Sequence, residues 1–394
     1  MFKLIRNVNA YGPADLGIVD ILVAFERIAK IAPNLEIPEE LEPQVYDCTG
    51  LTAIPGLIDA HVHIIGGGGE GGPHTRTPEL MLSEITTAGI TTVVGCLGTD
   101  AVSRSMESLL AKARGLETEG ISTYIYSGAY QVPTRTLLKS LREDLALIDK
   151  VVGAGEIAIS DHRSAQPQVQ DLAKLAAESR VGGMLGDKAG IVHIHLGEGV
   201  RGLSPINQIL AETELPITQF VPTHVNRTRK LFLQALEFLA RGGNIDLTAG
   251  GEDLKEGVMV PDGLVEIQAK GLTLDRVTVS SDGNGSLPLF DEHGQLTGLA
   301  KGSVQVLWQD LRTAVLQKQL PLSVILPVAT SNVARILKLP FKGRLEPGYH
   351  GDMVILNPDL TINKVFAMGK LMVDEGRSLV FGAFENKPKK QGTH

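Results

Sequence analysis

The chain has 394 residues, 43% of them apolar and 21% charged, and a formal net charge of −8. That length carries two or three domains at about 150 residues each, and the ordinary apolar and charged content excludes wholesale disorder. The acidic balance argues against a nucleic-acid partner, which calls for a basic surplus or stripe, although a local arginine pair can still hold an acidic small molecule. Two cysteines, Cys48 and Cys96, are too few for a disulfide framework. No run approaches the roughly 18 uninterrupted apolar residues of a membrane span, and the amino terminus lacks the apolar segment of a secretory signal. A soluble protein of the cytoplasm, with no membrane partner, is expected.

Residues 1–52 hold short strand-like pieces (KLIRNV, DILVAF, RIAKIA, VYDCTG), predicted as the first part of a small β-sandwich domain. From 53 to 343, β-branched runs alternate with helical patterns. Strands are predicted at 53–63, 91–98, 122–128, 157–161, 191–197, 217–225, 244–250 and 277–283, with helices between most of them. Repeated strand–helix units imply a parallel sheet, and eight right-handed crossovers close into a (β/α)₈ barrel. An open doubly wound sheet is the alternative. It is disfavoured because polar residues collect at the C-terminal ends of many strands, as the active face of a barrel requires. Residues 344–382 return to strand-and-turn style and complete the β domain from the other terminus, and 383–394 form a polar tail. Cys96, inside TTVVGCLG, reads as a small buried hydrophobe.

His61 and His63 form His-x-His at the end of the first barrel strand. Residues two apart on a strand share a face, so both rings can reach one cation; two half-buried rings bonded to backbone are the plainer reading of the pair alone. His195, His224 and Asp282 end the fifth, sixth and eighth strands, and on a barrel such ends converge over one axis. Imidazoles with carboxylates suit a borderline divalent ion such as zinc. His193 shares the parity of His195 but lies one pleat deeper, as a core residue or a support for the ligands.

PGLIDAHVHIIGGGGEGGP, with SDHRS, PTHVNR and SSDGNGS downstream, resembles the isoaspartyl dipeptidases of the amidohydrolase superfamily over nearly the whole chain. The resemblance implies a zinc-dependent barrel with a small β domain, hydrolysis of β-aspartyl dipeptides, and assembly into a homo-oligomer of up to octamer size. It implies His61, His63 and Asp282 as ligands of one metal, and His195 and His224 as ligands of a second. It also makes Asp282 the proton shuttle that deprotonates the attacking water and protonates the leaving amine. Where the family places a carboxylated lysine between the two metals, this chain has Glu156, in GAGEIAISDHRS. Glutamate keeps the single negative charge and two oxygens but reaches about four bonds from Cα, against about seven for a lysine carbamate. The segment is one residue longer than the family spelling, and Gly155 is expected to bulge the strand and advance Glu156. The alternative is a solvated acid beside a single metal.

The same resemblance assigns Glu70 to the substrate's α-amino group, with Gly68 and Gly69 beside it, and Thr99 and Ser286 as further substrate contacts. Thr99 could equally cap a helix. Tyr130 matches a carbonyl-polarising tyrosine, and Arg163 and Arg227 match arginines that hold substrate carboxylates, where a planar fork suits bidentate pairing. Glu156 also fits other superfamily branches, such as N-acyl amino acid deacylases, dihydroorotases or hydantoinases. A non-catalytic barrel scaffold is disfavoured because such proteins tend to lose the metal ligands retained here.

Overall fold

A computed structural model describes residues 1–250, 256–290 and 296–386; residues 387–394 of the expected polar tail lie outside the described residues. Eight parallel strands form the expected barrel. Six of them, Leu57–Val62, Ile90–Gly95, Ser122–Ser127, Val151–Ile159, Ile191–Leu196 and Phe220–Thr223, pair in chain order as one curled sheet. The last two, Ile245–Thr248 and Val277–Ser280, pair with each other. A bridge between Val62 and Gly283, with His63 N donating to Gly283 O at 2.9 Å, joins the eighth strand to the first. Side chains span the remaining seam. Asn226 donates to Thr248 O and accepts from Thr248 N, and Thr223 Oγ1 donates to the buried Asp246.

Two apolar layers hold the barrel. Strand faces pointing outward pack under the surrounding helices, with Leu57, Val93, Ile125, Ile194, Leu247 and Val279 all buried. Inside, Ile58, Val94, Tyr126, Val152, Ile191 and Val221 meet Val333, Ile336 and Leu337, and the helix Ser331–Ile336 carries the first two of these last three residues into the barrel. Along the fifth strand Ile191 lies in this apolar plug, His193 stacks on Tyr126 at 4.8 Å, and His195 reaches the site above. The period-2 alternation of the strand thus converts one sequence, IVHIH, into successive layers of core, support and site.

Both termini enter a single nine-stranded sheet. Phe2–Tyr11 pairs along one edge with Asp15–Ala24, and along the other first with Gln44–Asp47 and then with Thr52–Pro55. Thr52–Pro55 in turn pairs with Met353–Leu356, which brings in the C-terminal strands. Ile5, Val8, Ile21, Val23, Met353, Ile355 and Phe366 form its own core. The predicted strand 53–63 is therefore two strands divided at Gly56, one serving this sheet and one the barrel. Among the described residues no helix is long and apolar enough to cross a membrane.

Candidate metal centre

The strand ends bring six predicted ligands to one place. His61, His63, His195, His224 and Glu156 are each at most 6% exposed, while the Asp282 side chain keeps 20% exposure. Two of these residues stand in the left-handed region, His224 at φ 59° and Asp282 at φ 51°. That conformation is uncommon for residues other than glycine, and it turns both side chains off the run of their strands.

Glu156 lies at the centre. Its Oε1 is 2.6 Å from His195 Nδ1 and 3.3 Å from His224 Nε2, while its Oε2 is 3.2 Å from His61 Nε2 and 3.8 Å from His63 Nε2. One carboxylate therefore faces two histidine pairs, one oxygen to each. Asp282 Oδ1 completes the first group, 3.3 Å from His61 Nε2 and 3.2 Å from His63 Nε2. His61 Nε2 and Glu156 Oε2 are fully buried yet have no hydrogen-bond partner. A buried polar atom left unpaired is costly, and here an imidazole nitrogen and a carboxylate oxygen point at the same small volume. A divalent cation between them would satisfy both, so the residues fit the implied metal.

The ring edges facing away from Glu156 are tied down, as metal-ligating histidines require. His61 Nδ1 is 2.9 Å from His193 Nε2, and His224 Nδ1 is 2.7 Å from Thr248 Oγ1. Burial, reinforced by the Arg227 guanidinium, pushes His224 down to about 3, so this ring is neutral, the form that donates a lone pair to a metal. Burial alone would raise the Glu156 carboxyl, but His61 and His195 outweigh it and hold it well below the ordinary carboxylate range. The expected bulge is present. Val192 pairs with Ala154 and Ile194 with Ile157, so the fourth strand spends three residues where the fifth spends two. Gly155 lies in this irregularity, and a Cβ there would sit 2.9 Å from His193 Cβ and 3.1 Å from His193 O. Gly155→Ala is expected to destabilise the protein by about 1–3 kcal/mol through overpacking, and to lower metal content by displacing Glu156; thermal melting and metal analysis check both.

Predicted substrate residues surround this cluster. Tyr130 is buried, with its hydroxyl 2.9 Å from His195 Nδ1, and burial first and Glu156 second push its phenol well above the ordinary value. Glu70 Oε1 accepts from Thr99 Oγ1 at 2.7 Å and from Arg163 Nη1 at 3.3 Å. Burial opposes the Glu70 charge, but Thr99 and Arg163 hold its carboxyl below the ordinary range. The cap of the following helix is Ser105, which accepts from Ser108 N, so Thr99 is free of that duty. Gly68 packs against Ser286, and Gly69 precedes Glu70 in the same loop. Arg227 Nη1 donates to Leu196 O at 3.1 Å and lies 3.5 Å from His195 Nε2.

Three residues of the site carried little signal in the sequence. Arg104 is buried and donates to Ile65 O, Gly67 O and Thr77 O at 3.1, 2.9 and 3.1 Å, pinning the glycine loop that carries Glu70. Cys96 is buried as expected, but its sulfur lies 3.8 Å from His63 Nδ1, within a group of His61, His63, Cys96 and Glu156 ligand atoms spanning at most 4.8 Å. Its place at the end of the second strand was the available clue. The third is Asp161, whose Oδ2 is 2.9 Å from His195 Nε2.

The model of the Amidohydrolase family matches residues 236–372. Crystal structures of the β-aspartyl dipeptidase of Fervidobacterium islandicum AW-1 cover 99% of this chain and 100% of their own. One, in complex with β-Asp-Leu, is 44% identical with a TM-score of 0.89, and the other is 42% identical with a TM-score of 0.87. The imidazolonepropionase of Rhizobium meliloti (strain 1021) is 34% identical over 139 residues, 32% of each chain. The match thus spans about a third of the length of that curated relative. The fold is that of an amidohydrolase. Within that class, the chain belongs to the β-aspartyl dipeptidase family.

Proposed function

We propose that this chain hydrolyses the isopeptide bond of β-aspartyl dipeptides at a site holding two divalent ions, with zinc as the metal. The observation that carries the substrate class is the full-length match to an enzyme crystallised with β-Asp-Leu. The split of the two Glu156 oxygens between two histidine pairs supports the two-ion reading. His61, His63 and Asp282 would hold one ion, His195 and His224 the other, and Glu156 would bridge them in place of the family's carboxylated lysine. When bound, such ions lower the pKa of a water molecule and polarise a carbonyl.

The rest of the chemistry belongs to the chain. Asp282 retains access to solvent at the edge of a buried cluster, and His61 and His63 overcome the effect of burial to hold its carboxyl well below the ordinary range. It is therefore ionised before attack, able to take a proton from water and deliver it to the departing amine. The Tyr130 hydroxyl would donate to the amide oxygen as negative charge develops there, a contact that strengthens in the transition state. A β-aspartyl dipeptide presents one ammonium and two carboxylates. Glu70 answers the first, Arg163 and Arg227 answer the others, and Gly68, Gly69, Thr99 and Ser286 shape the pocket around them. We place the enzyme in the cytoplasm as a homo-oligomer.

Chelation should lower turnover of β-Asp-Leu by on the order of 10²-fold or more, and reloading with zinc should restore it, because the lost charge stabilisation is worth several kcal/mol. α-Asp-Leu, dihydroorotate and N-acetyl-aspartate should be poor substrates in the same assay. Equal activity before and after metal removal, or a preference for one of the other three, would exclude the proposal.

A further inference from the structure

Asp161 follows the fourth barrel strand by two residues and is only 6% exposed, beside Ser160 in the left-handed region at φ 53°. Its carboxylate serves two masters. Oδ2 is 2.9 Å from His195 Nε2 and 2.8 Å from Arg163 Nη2, while Oδ1 accepts from Arg163 N at 2.7 Å and Arg163 Nε at 3.1 Å. Gly197, just past the fifth strand, makes this closeness possible, since a Cβ there would lie 2.5 Å from Asp161 Cβ.

Each contact has a consequence. Carboxylates flank both ring nitrogens of His195 and can only accept, so with a cation taking the lone pair of Nδ1 the ring hydrogen sits on Nε2, where Asp161 Oδ2 accepts it. Nδ1 then presents its lone pair on the side of Glu156 Oε1, 2.6 Å away. On the other partner, the fork of Arg163 is spent on Asp161 through Nε and Nη2. Nη1 is left as the edge that reaches across to Glu70 Oε1 at 3.3 Å, with the guanidinium carbon 5.5 Å from the centre of the Tyr130 ring. A single buried acid therefore sets which nitrogen His195 turns to the second histidine pair and which edge Arg163 turns to the mouth of the site.

We propose that Asp161 is a positioning residue that couples the second ion site to the substrate-facing arginine. The inference rests on the two-ion reading above. It predicts an asymmetry that mere structural support does not produce, because His61 and His63 make no contact with Asp161 among the described residues.

The test uses the full-length zinc-loaded protein without substrate, titrated with a competing chelator and followed by metal analysis, alongside Asp161→Asn, Asp161→Glu and Arg163→Gln. Asp161→Asn should weaken one of the two ions by about 10–100-fold, the usual effect of removing a carboxylate behind a ligating histidine, and leave the other at its wild-type affinity. Asp161→Glu, which restores a carboxylate, should recover part of that loss. Arg163→Gln should raise KM for β-Asp-Leu and change ion affinity less than Asp161→Asn does, at the same ion, because Asp161 keeps its contact with His195. Wild-type affinity for both ions in Asp161→Asn overturns the inference while leaving the proposed function standing. Equal loss of both ions, or an unfolded protein for Asp161→Asn and Asp161→Glu alike, overturns it by making Asp161 a general structural residue. A wild-type chain that binds no ions overturns the proposed function as well.

Discussion

Asp282→Asn should lower kcat for β-Asp-Leu by about 10²–10⁴-fold, the range for loss of a positioned acid–base group, with KM changed far less. The substitution keeps size and shape but removes the ability to take up a proton at the carboxylate. Among the described residues the Asp282 side chain touches His61 and His63 and none of the groups around Glu70 and Arg163, so substrate binding should survive. The left-handed backbone at this position also tolerates asparagine, which limits any cost to folding. Steady-state kinetics together with metal analysis separate the possibilities. Near-wild-type kcat would mean that the proton travels by another residue, and a collapse of metal content would mean that Asp282 serves chiefly as a ligand.

Glu156→Gln should damage both activity and metal binding, lowering kcat/KM by at least about 10³-fold and reducing bound zinc below two ions per chain. Four histidines converge on this carboxylate, two at each oxygen. The amide would remove the negative charge between the two proposed ion sites and turn a donor NH₂ toward one of them, and several kcal/mol of lost charge stabilisation corresponds to a loss of that size. The wild-type enzyme should also work equally well in bicarbonate-free buffer, because a glutamate needs no carbon dioxide to become an anion. Full activity and two ions in Glu156→Gln, or a bicarbonate requirement in the wild type, would remove Glu156 from the bridging place. The bulge at Gly155 gives the substitution its geometric setting, since a side chain about three bonds shorter than a lysine carbamate has its backbone displaced by one extra residue.

The barrel was legible because buried parallel strands announce themselves as short β-branched runs between helices. The places where the strands differ from expectation have local causes. The fourth strand begins at Val151 rather than 157, because VVGAGE contains two glycines that read as a turn but lie in a buried ladder. Residues 217–219 form a short 3₁₀ turn before the sixth strand, and helix Leu141–Leu147 was not anticipated. The passage from terminal sheet to barrel at Gly56 was hidden inside one continuous apolar run, since both halves are buried on both sides.

By itself the sequence determined the alternation that makes a barrel and the strand-end positions of His61, His63, His195, His224 and Asp282; that Glu156 stands where a lysine is usual came from the resemblance to the family. These follow from periodicities of two and from residue identity, which are local properties of the chain. Only the tertiary structure decided which oxygen of Glu156 meets which histidine pair, that His193 lies behind His61, that Cys96 borders His63, and that Asp161 joins His195 to Arg163. Such choices depend on which edge of a ring or carboxylate finds a partner. Those partners lie 132 residues apart in the chain for His61 and His193, and 34 apart for Asp161 and His195, so they exist only once the barrel has closed.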